Sequence, residues 1–198
     1  VLTLVDTGTW MSERRIGAAF ERMGRRPTAV RQIVISHSHG DHAGGAASLR
    51  ETCQAPVIVG AADAPVIEGR EPYADAPATW ARASYSWLAR FPRFRPDRTV
   101  AEEEELEGGL LVILTPGHTP GHLAFHAPDN PLLFAGDSVW NLGTVRLDWR
   151  SFSPEWERNR ESVRRLAALD VDGVFVGHGP PIRRDARRRL RALVRDEV

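Results

Sequence analysis

The segment that most limits what this chain can become is Ile35–Gly45, ISHSHGDHAGG, which places three histidines and an aspartate within six residues at the end of an apolar run. Val30–Ile35 reads as a strand, and on extended backbone His37 and His39, two residues apart, project toward the same side. Neutral imidazole and carboxylate are ligands that suit zinc and other first-row metals, so this pair is half of a metal site. Gly40 turns the chain, and Asp41 and His42 sit where the next helix, predicted over Asp41–Cys53, begins. They form a second half-site beside the first.

Such a cluster gains meaning when other parts of the chain answer it. Strands are predicted at Val1–Val5, Pro56–Val59, Leu110–Leu114, His122–His126, Leu132–Ala135 and Val174–Val176, and they alternate with helices. One helix spans Ser12–Gly24, with Ile16, Ala19, Phe20 and Met23 at helical spacing. Another starts at an N-cap Ser153 followed by Pro154 and reaches about Leu169. This alternation argues for an α/β architecture. Three later strands each end in a further donor preceded by glycine: His118 in TPGHTPGH, Asp137 in FAGDS and His178 in FVGHG. With the first four, these donors make two sites of three, with one carboxylate left to bridge.

The order HxHxDH, a histidine in GHTPGH, an aspartate in GDS and a histidine in GHG resembles the metallo-β-lactamase-fold hydrolases over nearly the whole chain. The resemblance implies a four-layer αβ/βα sandwich of two packed mixed β-sheets with helices outside, and a single domain over residues 1–198. It implies that His37, His39 and His118 hold one metal, that Asp41, His42 and His178 hold the other, and that Asp137 bridges them. Asp6, in the VDTG segment, then orients the histidine loop, and His122 is structural. Two zinc ions per chain are expected, with iron or manganese as alternatives. Paired metals can share a hydroxide and polarise a carbonyl, and Asp41 is the carboxylate placed to orient that nucleophile or take its proton.

Departures from the family's branches narrow the reaction. The drug-hydrolysing β-lactamases of this fold lack the bridging aspartate, which Asp137 supplies here. Flavodiiron proteins resemble the motif with glutamate at the position of His39. Glyoxalase II carries a C-terminal helical region for glutathione, whereas one helix follows His178 here. Quorum-quenching lactonases of this fold use a tyrosine shortly after the bridging aspartate, a neighbourhood that Trp140 occupies here. The expected substrate is a small-molecule ester, thioester or lactone; the alternatives are a phosphodiesterase or ribonuclease-type hydrolase, a mononuclear iron persulfide-type dioxygenase, and a binding module without activity.

Composition bounds the partners. Lys+Arg and Asp+Glu number 26 each, so no net field favours a polyanion such as nucleic acid. All the basic residues are arginine. Arg183–Arg195 keeps Ala186, Leu190, Leu193 and Val194 on one face, as a terminal amphipathic helix does. Cys53 is the sole cysteine, which excludes an intramolecular disulfide and a cysteine-based zinc site. No apolar run approaches the ~20 residues of a membrane span, so no membrane partner is expected. VLTLVDTG looks like the second half of a hairpin whose first strand would precede Val1. A cytoplasmic protein is the expectation, with secretion left open by that N-terminus. Residues 70–98 read as an aromatic-rich insertion, and Tyr73, Trp80, Tyr85, Trp87 and Trp140 are its and its neighbourhood's candidates for lining a substrate pocket, as a lid or wall.

Overall fold

The computed structural model describes residues 1–73, 91–150 and 152–196. Two compact units divide the chain, Val1–Ala101 and Glu102–Val198. Each has a sheet and a core of its own. The N-terminal unit orders β1 (Leu2–Val5), β2 (Val30–Val34), β3 (Val57–Gly60) and β4 (Arg98–Val100) side by side. All three pairings are parallel, which requires crossover connections between the strands. The first of these is α1 (Glu13–Arg22), ended by Met23 and Gly24, the latter at φ +60°.

Parallel strands are covered on both faces and read as apolar runs. Ile33, Val57 and Val59 are fully buried or nearly so and meet Leu49 and Cys53 of α2 (Ala46–Cys53), Ile67 of α3 (Ala64–Ile67) and Phe20 of α1 in one core cluster. Burial also pushes the Cys53 thiol pKa up, as desolvation of a thiolate must. Tyr73, Phe91 and Phe94, from the predicted 70–98 insertion, belong to this cluster. Trp80, Tyr85 and Trp87 lie outside the described residues.

The C-terminal unit holds a five-stranded sheet in the order β11 (Gly173–Phe175), β8 (Leu132–Phe134), β7 (Leu123–Ala127), β6 (Leu110–Leu114) and β5 (Glu104–Leu106). This sheet is the mixed one: β11 pairs in parallel with β8, and the remaining pairs are antiparallel. A hairpin of β9 (Val139–Asn141) and β10 (Val145–Leu147) stands apart as a two-stranded sheet. Val163 and Leu166 of α4 (Trp156–Ala167) and Leu190 and Leu193 of α5 (Ala186–Asp196) pack on Ala124, Leu133 and Val174. The tail thus buries the apolar stripe that its sequence lays out. Among the described residues no helix is long and apolar enough to cross a membrane.

Two predicted boundaries fail for tertiary reasons. The helix expected from Asp41 starts at Ala46, because residues 41–45 are spent on a tight turn. A Cβ on Gly44 would meet the Gly40 carbonyl oxygen at 2.1 Å and the Trp10 nitrogen at 2.7 Å, so that turn has no room for a side chain. Ser153 does not cap α4 either; the cap residue is Glu155, and the Ser153 hydroxyl donates to Asp148.

Candidate metal centre

The N-terminal donors lie on the loop that leaves β2. Backbone bonds from the His42 and Ala43 N–H groups to the His39 carbonyl, at 3.0 and 2.8 Å, curl it. The Thr7 N–H and hydroxyl clamp the His42 carbonyl at 2.8 and 2.7 Å. His37 Nε2 then faces His39 Nδ1 at 2.9 Å, and the His37 and His42 ring centroids are 4.1 Å apart. All three histidines are buried.

Asp6, at φ +57° just after β1, supports this loop. Its carboxylate accepts the Ser36 N–H at 2.7 Å and the Ser36 hydroxyl at 2.8 Å. Because that hydroxyl has given its only proton to Asp6, its 3.0 Å contact with His37 Nδ1 must be one in which the ring donates. His37 therefore carries its proton on Nδ1 and presents Nε2 as a lone pair. His42 is fixed likewise: Nδ1 lies 2.8 Å from the Asp6 carboxylate, which leaves Nε2, 3.9 Å from Asp41 Oδ2, as the donor atom. An outer carboxylate that fixes the tautomer is what a metal-ligating histidine requires.

Sequence reasoning missed Asp63. Its buried carboxylate accepts the Ser38 N–H at 2.7 Å, between the two histidines. The Tyr73 hydroxyl donates to the Ser38 carbonyl at 3.0 Å, with its ring 5.5 Å from that of His39. Tyr73 thus braces the histidine loop.

The C-terminal unit carries the other three donors. Asp137 sits in a single 3-10 turn, Gly136–Ser138, directly after β8, with Gly136 at φ +52°. His118 Nε2 and His178 Nε2 approach its Oδ2 at 3.4 and 3.1 Å. His118 and Asp137 are buried to within 2 %. His122 accepts the Asp137 backbone N–H on Nε2 at 3.1 Å and so donates from Nδ1 to Thr115 Oγ1 at 2.7 Å. That ring holds the Asp137 backbone. His126, on β7, is buried with no partner for Nε2 among the described residues, and burial lowers its pKa. The glycines before the donors differ in purpose: Gly117 and Gly136 have positive φ, whereas Gly177 gives clearance, since a Cβ there would lie 1.7 Å from Asp137 Oδ1.

Asp148 is the second residue that sequence reasoning missed. Its carboxylate is buried, lies 2.7 Å from His118 Nδ1, accepts Asn159 Nδ2–H at 2.7 Å and takes the Ser153 hydroxyl. The ring proton is thereby held on Nδ1, and the His118 Nε2 lone pair is turned toward a carboxylate oxygen. Two acceptors facing each other at this range repel, and a cation between them removes the repulsion. The donor set accordingly fits a metal ion. Asp148→Asn is expected to weaken metal binding by about 10- to 100-fold, the range for partners that orient a ligand. Competition with a chromophoric chelator measures it, and unchanged affinity would show that Asp148 only fills space.

Trp140, placed by sequence in the substrate pocket, is 6 % exposed and meets the His178 ring edge-on at 4.7 Å.

Comparison with known proteins returns one consistent answer. A family model described as the Metallo-beta-lactamase superfamily matches residues 2–178, a span that takes in both units and ends on His178. A hydroxyacylglutathione hydrolase of Cereibacter sphaeroides is 35% identical over 166 residues, covering 82% of this chain and 53% of its own length. The chain therefore spans about half of that relative. A probable metallo-hydrolase of Bacillus subtilis, YflN, is 27% identical over an alignment of 191 residues that covers 86% of this chain and 69% of that one. Among solved structures, a metallo-beta-lactamase mutant from Cronobacter sakazakii superposes with a TM-score of 0.70 at 31% identity, covering 89% of this chain and 69% of its own.

Proposed function

Because the chain belongs to the metallo-beta-lactamase superfamily, we propose that the donors of its two units form one dinuclear centre that hydrolyses a small-molecule ester, thioester or lactone. In this reading residues 1–198 act as one domain. His37, His39 and His118 take one metal, Asp41, His42 and His178 the other, and Asp137 is shared; two zinc ions are the occupants proposed. The observation that carries the reading is the tautomer arrangement: Asp6, Ser36 and Asp148 occupy the Nδ1 side of His42, His37 and His118, so that each presents Nε2.

When bound, paired metals lower the pKa of water toward about 7 and polarise an acyl carbonyl. The chain's own residues supply the rest. The Asp41 carboxylate is 26 % exposed, in contrast to Asp137 at 3 %, so it can reach both solvent and an attacking water. It takes the proton that this water releases on adding to the carbonyl carbon. As the bond from that carbon to oxygen or sulfur breaks, the proton passes to the leaving alkoxide or thiolate. Acid and alcohol, or acid and thiol, are the products. The named activity of the hydroxyacylglutathione hydrolases, 35% and 32% identical in two of them, supports the acyl side of this choice over a phosphodiester.

A panel of chromogenic thioesters, lactones, carboxylic esters and phosphodiesters, run on zinc- and manganese-loaded protein with metal content measured in parallel, tests the proposal. Two metal equivalents with turnover of an acyl substrate are expected. One equivalent of iron with oxygen consumption, or turnover confined to phosphodiesters, overturns it.

A further inference from the structure

The β9–β10 hairpin leaves Asp137 directly, carries Trp140 on its first strand, and is followed by Trp149 and Phe152. These three rings form a closed triangle. Trp140 and Trp149 centroids are 5.2 Å apart at 70°, Trp140 and Phe152 are 5.9 Å apart, and Trp149 and Phe152 are 5.8 Å apart at 32°. One corner is fixed to the donor set by the edge contact of Trp140 with His178. A second is held by Arg146, whose guanidinium lies over the Trp149 ring at 5.4 Å.

The triangle is only partly covered. Trp140 is almost fully buried, yet Trp149 remains 44 % exposed. Trp149 thus leaves an apolar ring open to solvent one ring away from Trp140, which itself touches His178, a placement suited to an apolar group of a ligand bound at the donors. The Trp140 indole N–H has no hydrogen-bond partner among the described residues, although buried tryptophans ordinarily find one.

We propose that the Trp140–Trp149–Phe152 face is the subsite for an aromatic acyl group of the substrate. The proposal rests on the hydrolase reading above and narrows its substrate class. A planar ring is favoured over an alkyl chain because edge-to-face and offset pairing adds to the area that either would bury, and Trp140 already meets both Trp149 and the His178 ring edge-on. The position beside His178 puts a ring held on this face next to the donor that would adjoin the reacting carbonyl.

The test compares 4-nitrophenyl acetate, hexanoate and phenylacetate as substrates for the zinc-loaded full chain and for Trp149→Ala, Trp149→Phe and Phe152→Ala. Phenylacetate itself is added as a binding probe in saturation-transfer NMR. The wild type is expected to prefer the phenylacetyl over the acetyl ester by about ten-fold or more in kcat/KM, as one apolar group in a pocket allows. Trp149→Ala should lose most of that ratio, Trp149→Phe should keep most of it, and saturation transfer to phenylacetate should vanish in Trp149→Ala. An unchanged ratio in a variant with wild-type circular dichroism overturns the subsite, as does a preference for hexanoate over phenylacetate. If Trp149→Ala fails to fold, the same ratio in Phe152→Ala decides. If no ester in the wider panel is turned over, the hydrolase reading fails by itself; phenylacetate binding that depends on Trp149 would still support the subsite, and absence of binding would overturn it.

Discussion

Asp137→Ala is expected to bind one metal equivalent in place of two and to lose at least about 100-fold in kcat/KM, since partners that merely orient a ligand already cost 10- to 100-fold. The Asp137 Oδ2 atom lies within 3.4 Å of Nε2 on both His118 and His178. In the proposed dinuclear centre a carboxylate so placed would offset the mutual repulsion of two cations. Asp137→Asn keeps the shape but gives up the charge, so its loss should be smaller than that of alanine. The Asp137 backbone is held by His122 in either variant, and the fold should persist. Metal titration of each purified variant, alongside turnover of the best panel substrate, makes the comparison. Two equivalents and wild-type turnover in Asp137→Ala would show that Asp137 does not bridge.

Gly177→Ala is expected to do comparable damage from a residue that ligates nothing. Its Cβ would stand 1.7 Å from Asp137 Oδ1 and 2.9 Å from Asp137 Cγ, with the Gly136 carbonyl carbon at 3.1 Å. The carboxylate must swing away, and the Asp137 backbone cannot follow, because its N–H is tied to His122 and Gly177 N–H is itself bonded to the Gly136 carbonyl at 2.8 Å. Overpacking of this kind costs about 1–3 kcal/mol, so the thermal midpoint of the metal-free protein should fall and the affinity for the second metal should fall with it. Gly17→Ala is the control. Nothing lies within 4 Å of a Cβ there, and the residue is inside α1, so alanine should stabilise by up to about 1 kcal/mol and leave metal binding unchanged. Wild-type metal affinity in Gly177→Ala would mean that Asp137 has another position from which to serve.

Much of this was legible in the residues. Strand and helix periods located β1, β2, β3, β6, β7, β8 and β11 to within a residue or two, because buried parallel strands such as VIVG at Val57–Gly60 are apolar throughout and the tail helix is apolar on one side only; the short strands β4, β5, β9 and β10 carry no such apolar run and were not legible. The two misplaced helix starts share one cause. Ser153 followed by Pro154 carries the local signature of a helix start, but a buried carboxylate competes for that hydroxyl and wins. Asp41 looks helical in its own window, yet the approach of Trp10 and Gly40 to Gly44 keeps residues 41–45 in a turn.

Residue type and local spacing alone settle the donor chemistry: which atoms could ligate, in what chain order, and that each later donor follows a strand. They could not determine which ring nitrogen each histidine offers. That choice falls to Asp6, 36 residues from His42, and to Asp148, 30 residues from His118. A hydrogen bond to a carboxylate acts through space at under 3 Å and leaves no trace in the sequence around either partner. The tautomers, the clearance at Gly177 and the aromatic face beside His178 were therefore decided only when tertiary packing brought distant residues into contact.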